Sequence, residues 1–414
     1  MTQSFPIATP ASGRRFNAGT VLAAAAVLLP PVAVEAPLGV APLMTAVALA
    51  LLAADAKRFC AGFQQLLPLA GLLAALAAWA TASALWSILP QHSLFEGLRF
   101  LVLSAEGLIV LGAAVTLSAE QAKRLGLAAA SGVVLAVLML AIEGASDAGL
   151  SRLLYRIPPG MPVLFTRYDR GVTVLVLALF PALAGSRMRG WWGACLALAV
   201  TAAAWFMPSQ AAEAALVAGL AAFALAYYMP RVTAAALAAG LIALAVYLPV
   251  ATPSDQAVIA LRHEAPWIKF SGIHRLLIWR FAADRIAERP LLGWGMDASR
   301  ELPGGHEDFS KTLPEADIGM AMQAMPLHPH NAILQWQVEL GLPGTLLGLA
   351  IVLWGLWRAG FKAQLERRSR AAALAWSASA LVVALLSFGI WQAWWLSCLW
   401  LTSTFIAGIS SDER

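Results

Sequence analysis

The chain contains twelve apolar runs long enough to cross a bilayer, and nothing else about it limits the fold so severely. A spanning helix needs about 17 to 25 residues. Such runs lie near 17–35, 38–54, 64–85, 97–117, 125–143, 171–185, 191–207, 211–229, 232–250, 330–357, 371–388 and 390–408. Composition agrees: of 414 residues, 60% are hydrophobic and 12% are charged, whereas a soluble domain carries about 25% charged residues. The sequence therefore predicts an all-α polytopic membrane protein forming one integrated domain. Nine transmembrane helices are expected over 1–250, a large outer loop with helices of its own over 251–327, and three more spans over 328–414.

Arg14-Arg15 ahead of an apolar run from Ala18 to Val34, closed by Val34-Glu35-Ala36, imitates a secretory signal. Many runs follow and nothing resembles a soluble mature domain, so this one reads as an uncleaved first span. The short connections alternate in charge. Arg14-Arg15, Lys57-Arg58, Lys123-Arg124, Arg187 with Arg189, Arg231 and the cluster from Arg358 to Arg370 share one side. The positive-inside rule makes that side cytoplasmic, with both termini. The opposite side receives all six histidines (His92, His263, His274, His306, His328, His330) and a segment 144–170 with Arg152, Arg156, Arg167 and Arg170. No histidine lies mid-membrane, which weakens a proton-relay transporter, although Glu106, Glu143 and Glu339 lie near or inside spans. Cys60, Cys195 and Cys398 are odd in number and scattered, which argues against a disulfide framework or a thiolate metal site. No internal repeat and no nucleic-acid signature is visible.

Chemistry concentrates at the start of the tenth run. His328-Pro329-His330-Asn331 closes the polar loop, and Gly341-Leu342-Pro343-Gly344 follows. Pro329 suits the first position of a helix. His330 then falls in the first turn, where the helix dipole lowers an imidazole's pKa and leaves it able to accept a proton near pH 7. Pro343 removes the bond to the carbonyl of Glu339, so the helix is expected to kink or loosen there. Gly341, Gly344 and Gly348 share one side and are expected to admit a neighbouring helix. In the long loop, Ser271 to Arg289 reads as a helix with Ile273, Leu277 and Phe281 on one stripe and Arg275 roughly opposite. Pro290 stops it, and Gly293 and Gly295 make a turn. The stretch from Arg300 to Pro326 has no period and is expected to be mobile, as a lid.

His330-Asn331, nine residues, Gly341, two residues and Gly344 match the motif of bacterial O-antigen ligases and O-antigen polymerases, and the chain resembles that superfamily. The likeness extends to Arg275–Trp279 with Pro290–Gly295, to Leu85–Leu94, and to Tyr168-Asp169-Arg170-Gly171. The resemblance implies an architecture like the C-type membrane glycosyltransferases. It implies a glycan donor carried on undecaprenyl pyrophosphate and lipid A–core as the acceptor in lipopolysaccharide assembly. The implied place is the bacterial inner membrane, with the site facing the periplasm. His330 is implied as general base, and Arg275 and Arg170 as catalytic arginines, because guanidinium stays ionised and grips phosphate oxygens two at a time. His328, Asn331, Gln335, Arg167, Arg280 and Trp279 complete the substrate-binding candidates, with Arg156 in reserve.

Each feature also has a plainer reading. Interfacial arginines can snorkel towards lipid phosphates. Glu339 is a packing residue or a hydrogen-bond partner. Trp86, Trp279, Trp294, Trp336, Trp391, Trp394 and Trp395 suit an aromatic belt, although Trp279, Trp294 and Trp336 could also stack on sugars. No metal or other cofactor is implied, since Asp169, Asp284 and Asp297 are scattered and no Asp-x-Asp stands near the motif on the outer side. An O-antigen or exopolysaccharide polymerase would share donor and chemistry. The 86–94 segment and the single large loop favour a ligase. A secondary transporter would also give twelve spans, but it predicts paired halves with broken helices, and no paired halves are visible.

Overall fold

Apolar runs rich in alanine and glycine can meet closely in lipid, where dispersion between backbones takes over from the hydrophobic effect. The structure, a computed structural model that describes residues 17–185, 190–265, 267, 270–309, 322–361 and 365–410, is assembled in that way. Its helices are α1 (Ala18–Glu35), α2 (Val40–Phe63), α3 (Leu67–Ala82), α4 (Pro90–Ala114), α5 (Ala119–Ala145), α6 (Gly149–Tyr155), α7 (Asp169–Gly185) and α8 (Gly190–Phe206). They continue with α9 (Gln210–Tyr228), α10 (Pro230–Tyr247), α11 (Asp255–Glu264), α12 (Phe270–Glu288), α13 (Ala332–Phe361), α14 (Arg367–Leu386) and α15 (Ala393–Ile409). Ten stretches are long and apolar enough to cross a membrane, and α8 and α15 are apolar helices of 17 residues. These twelve helices overlap the twelve runs of the sequence, with shifted bounds. The protein is an all-helical polytopic membrane protein. Among the described residues the only β pairing is an isolated bridge between Asp308 and Gln323.

At the centre stands α7, whose spanning stretch is 83% buried. It touches α1, α5, α8, α9, α14 and α15. Glycine sets these approaches. A Cβ on Gly126 of α5 would stand 2.6 Å from the Cα of Gly185 on α7, and one on Gly132 would stand 2.3 Å from the Ala26 carbonyl of α1. The α9–α14 seam is closed by a hydrogen bond from the Ser379 hydroxyl to the Ala215 carbonyl, 2.6 Å.

The helix that carries the motif is two helices joined across a break. Gly341 adopts φ +62° and ψ −159°, so the interruption falls two residues before Pro343. Glycine reaches a positive φ that other residues resist. Pro343 then opens the second piece, where its missing N–H costs nothing. The break strands the carbonyls at the end of the first piece, and in lipid each must find a donor. The loop supplies them: Trp294 N–H donates to Val338 at 2.9 Å and Gly295 N–H to Glu339 at 2.8 Å. Trp79 Nε1 donates to Leu340 at 2.8 Å, and Leu342 N–H reaches back to Pro290 at 3.0 Å. The glycine face therefore meets a loop and its own side chains rather than a neighbouring helix. A Cβ on Gly341 would meet the Leu291 carbonyl at 2.2 Å, while Gly344 and Gly348 make room for Leu340 and Trp336.

Other expectations are adjusted too. The span near 97–117 begins earlier, at Pro90, because the polar groups of its first turns find partners: His92 with Asp297, and Glu96 with Arg99. The loop helix is found at Phe270–Glu288. Of the expected lid, residues 310–321 lie outside the described residues, as do Arg14, Arg15, Arg187 and Arg189. The described flanks of the lid are tied down by backbone bonds, Phe309 to Met322 at 2.8 Å and Met325 to Gly305 at 2.8 Å. Met325 is fully buried.

Two glycines of α5, Gly132 at its middle and Gly144 near its end, test the packing. Within a helix alanine is favoured over glycine by up to about 1 kcal/mol, less near the ends. Gly144 has open space around its Cβ position. Gly144→Ala is therefore expected to leave stability in detergent unchanged or slightly raised. Gly132→Ala is expected to lower it by about 1–3 kcal/mol through overpacking. Equal thermal unfolding of the two variants would contradict this arrangement.

Candidate active site

The site grows from the residues just ahead of α13. The helix does not begin at Pro329, as the sequence reading expected. It begins at Ala332, and Asn331 is its cap: Asn331 Oδ1 accepts from Ile333 N–H and Leu334 N–H, each at 3.1 Å. An Asn side chain satisfies helix-end donors that proline at the first position could not. Asn331 Nδ2 donates to the Leu385 carbonyl, 3.2 Å, so both ends of this buried amide are engaged with backbone. His330 therefore sits before the helix rather than in its first turn, at φ +54°. For a residue with a Cβ that conformation is uncommon, and its concentration at functional positions is a known pattern.

His330 is oriented from one side. Its Nδ1 lies against the Ser387 carbonyl in a short contact. A carbonyl can only accept, so Nδ1 carries the proton and Nε2 keeps the lone pair. Burial lowers the His330 pKa, the Ser387 carbonyl opposes this, and the positive charge of Arg275 adds to the lowering. His328 is held more tightly. The backbone N–H groups of His330 and Gly389 both point at its ring, each at 3.1 Å. A protonated ring would face two donors there. Burial pushes the His328 pKa down to about 3, so its ring is neutral.

Loop helix α12 closes the site from the other side. Trp279 Nε1 donates to the Pro329 carbonyl, 2.9 Å. Arg275 stands one turn earlier on the same face of α12, since residues four apart overlie one another. Its charge reaches both His328 and His330. Burial lowers the Arg275 pKa, and Asp169 at the start of α7 opposes the shift. The neighbouring His274 is bonded to the Gln323 carbonyl at 3.0 Å and also lies within electrostatic reach of His330. Arg170, the next residue on α7, lays its guanidinium over the Trp394 ring at 5.5 Å. Trp394 Nε1 donates to Gln392 Oε1, 2.8 Å, and the Gln392 amide stands 3.5 Å from His328 Nε2. The structure thus sets His328 and His330 against the turn 387–392 with Arg275 in electrostatic reach of both, while Arg170 is linked to that turn through Trp394. Gln335 joins from below, its Oε1 accepting from Ile390 N–H at 2.9 Å.

The remaining candidates lie elsewhere. Arg167 is turned onto the Tyr155 and Tyr168 rings, at 4.8 and 5.5 Å. Arg156 is exposed at the end of α6. Arg280 is half-buried on α12, about 140° around the helix from Arg275. The aromatic-belt reading does not hold for the last tryptophans. Trp391, Trp394 and Trp395 are buried, because Trp391 Nε1 bonds to Glu339 and Trp394 carries the arginine. Trp294 is buried as well, with its Nε1 on the Arg285 carbonyl at 2.9 Å. Sequence reasoning missed His274, Gln392 and Ser387. Only His274, adjacent to Arg275, offered a signal.

Among the described residues, His92, Glu96 and Asp297 bring three potential ligand atoms within 4.8 Å of one another. Their charge is already matched, since Glu96 pairs with Arg99 and Asp297 with Arg300 at 2.8 Å. The donor set is therefore an ion-pair network that does not favour a further cation. Below the turn runs an apolar cavity of about 420 Å³. Ile333, Trp336 and Trp391 line it near the motif, and Arg358 and Ser410 line it at the far end.

Residues 172–349 match the model of a family described as O-antigen ligase. A protein of Rickettsia conorii, provisionally named a polysaccharide ligase, is 28% identical over 338 residues, covering 79% of this chain and 76% of that protein. Proteins of Rickettsia prowazekii and Rickettsia bellii with the same provisional name are 34% identical over 136 and 131 residues. Those matches cover 32% and 31% of this chain, and 31% and 30% of the relatives. The matched family region holds α12, both motif histidines and the helix break, while Arg170 and the turn 387–392 fall outside it. The resemblance of this chain is to the O-antigen ligase superfamily.

The histidine geometry can be checked by titration. With its pKa near 3, His328 is expected to keep a neutral ring from pH 8 down to about pH 4 in a ¹⁵N-histidine spectrum. The unfolded chain takes up that proton near pH 6.5. The native state is therefore expected to lose stability as pH falls from about 6.5 towards 3. A His328 ring that titrates near 6.5 in the folded protein contradicts this picture.

Proposed function

We propose, taking the similarity to the O-antigen ligase superfamily as premise, that this protein is a membrane glycosyltransferase of the ligase type. It moves a polysaccharide from undecaprenyl pyrophosphate to a sugar hydroxyl of lipid A–core during lipopolysaccharide assembly. It acts in the bacterial inner membrane with its site at the periplasmic face. The observation that carries this reading is the fixed tautomer of His330 beside a half-buried guanidinium: Nδ1 is held by the Ser387 carbonyl, and Arg275 stands within electrostatic reach.

The chemistry follows from that geometry. The acceptor hydroxyl attacks the anomeric carbon of the donor while His330 Nε2 takes its proton. A new glycosidic C–O bond forms as the bond from the anomeric carbon to the pyrophosphate oxygen breaks. The electron pair leaves with undecaprenyl pyrophosphate, whose growing negative charge is met by Arg275 and Arg170. Donors fixed where charge develops are typically worth about 10²–10³ in rate. The lowered His330 pKa keeps the base neutral near pH 7, because like charge from Arg275 and burial act in the same direction. His328 and Gln392 hold the turn, and the apolar cavity beneath supports a substrate whose tail is a hydrocarbon.

A transporter reading is disfavoured by the break at Gly341. In transporters, unwound helices leave backbone carbonyls to coordinate ions. Here those of Val338, Glu339 and Leu340 are each occupied by a protein donor. A polymerase remains the nearest relative in chemistry, sharing donor and base and differing in acceptor.

His330→Ala is expected to lower transfer by about 10²–10⁴, the range for a lost general base. Arg275→Ala is expected to lower it by about 10²–10³. Arg275→Lys is expected to recover little, since lysine lacks the planar fork. All three should insert normally. Release of undecaprenyl pyrophosphate from purified donor, with glycan ladders from ligase-deficient and polymerase-deficient strains carrying each variant, measures this. Full activity of Arg275→Ala, or rescue of the polymerase-deficient strain alone, overturns the reading.

A further inference from the structure

Glu339 lies about two helical turns below His330, and the chemistry above leaves it unused. It is completely buried. Four groups donate to it. Ser299 Oγ and Gln335 Nε2 reach Oε1 at 2.5 and 3.1 Å. Asp297 N–H and Trp391 Nε1 reach Oε2 at 3.0 and 2.5 Å. A carboxylate offers about four acceptor sites, and here all are filled by donors from three separate parts of the chain. Asp297 and Ser299 belong to the turn that follows the loop helix. Gln335 is one turn up on α13. Trp391 belongs to the turn between α14 and α15.

That last turn is the one that holds the histidines. Ser387 fixes His330, and Gly389 N–H points at His328. Glu339 reaches the turn by two routes. One is direct, through the Trp391 indole. The other passes through Gln335, whose Nε2 donates to Glu339 while its Oε1 accepts from Ile390 N–H. The same carboxylate anchors the opposite wall at Asp297, whose backbone sits at φ +51°. Arg99 of α4 also holds the wall at 387–392, donating to the Trp391 carbonyl at 3.1 Å, and among the described residues Glu339 is the one group that accepts from both walls.

We propose that Glu339 is a positioning residue for His330. By accepting four hydrogen bonds it locks the turn 387–392 against the turn 297–299, and so sets the orientation of the base. This rests on the reading of His330 as general base. The role also accounts for a buried carboxylate in a membrane protein, since intramembrane acids are costly and are kept where they serve function.

Glu339→Gln in the full-length protein is the test. The amide keeps the shape, but its NH₂ end must face donors. Hydrogen exchange at Gly389 and Ile390 is expected to quicken several-fold, with the amides of α5 unchanged. The kcat is expected to fall by up to about 10², the cost of a misplaced catalytic group, with the KM for lipid-linked donor nearly constant. Trp391→Phe keeps the ring, removes one donor and is expected to move both readouts the same way by less. The double variant is expected to be little worse than Glu339→Gln alone, since both act through one contact. Unchanged exchange at 389–390 in either variant, or a loss carried by KM, overturns the proposal. Should Glu339→Gln fail to fold, Trp391→Phe carries the same test. The exchange measurement needs no turnover, so active His330→Ala would sink the functional reading without touching it.

Discussion

A helix interrupted inside a membrane must bring its own donors, and most of this architecture can be traced to that requirement. Gly341 ends the first piece of α13, and the carbonyls of Val338, Glu339 and Leu340 lose their helical partners there. Water is not available to them, and each unpaired group in hydrocarbon costs several kcal/mol. The protein answers with the backbone of Trp294 and Gly295 and the indole of Trp79. The loop between α10 and α13 is therefore built into the membrane domain. Its turn at 290–295 is part of the helix break, and glycines face each other across it: a Cβ on Gly293 would stand 2.4 Å from the Glu339 carbonyl.

This explains why the loop helix can serve as one wall of a site. α12 is anchored at both ends of its contact with α13. At one end the 290–295 turn fills the break; at the other, Trp279 donates to the Pro329 carbonyl. Arg275 lies on the same face as Trp279, so a guanidinium on a loop acquires the fixity of one on a membrane helix. Catalytic geometry depends on such rigidity, because a preorganised charge needs no rearrangement at the moment of reaction.

Much of this was legible in the sequence because it depends on local properties. Run length gave the spans, and the 3.6-residue stripe of Ile273 and Leu277 gave α12 with Arg275 on it. The resemblance at His330-Asn331 and Gly341 marked the candidate site. What was not legible depends on contacts between distant segments. The break was expected at Pro343 because proline cannot donate. Gly341 takes it instead, since only glycine tolerates both the positive φ and the Leu291 carbonyl beside it. Asn331 was read as a sugar ligand because nothing local showed that the helix would start at Ala332 and need a cap. The tryptophans of 391–395 looked like an interfacial belt because composition cannot distinguish a lipid-facing indole from one bonded to Glu339. The turn 387–392 carries no motif. It matters only through its carbonyl and amide groups, which every sequence has.

That last point bears on how the base is tuned. Both histidines are governed by backbone groups rather than by a carboxylate partner of their own. A carboxylate beside His330 Nδ1 would raise its basicity but would also place a negative charge where the proposed reaction develops one. A carbonyl fixes the same tautomer without that charge. Arg275 then acts on the ring together with burial, and both disfavour protonation of His330. The carboxylate on the motif helix, Glu339, is set two turns deeper and receives four donors. Its oxygens are engaged by four donors, and what reaches the histidines through them is position.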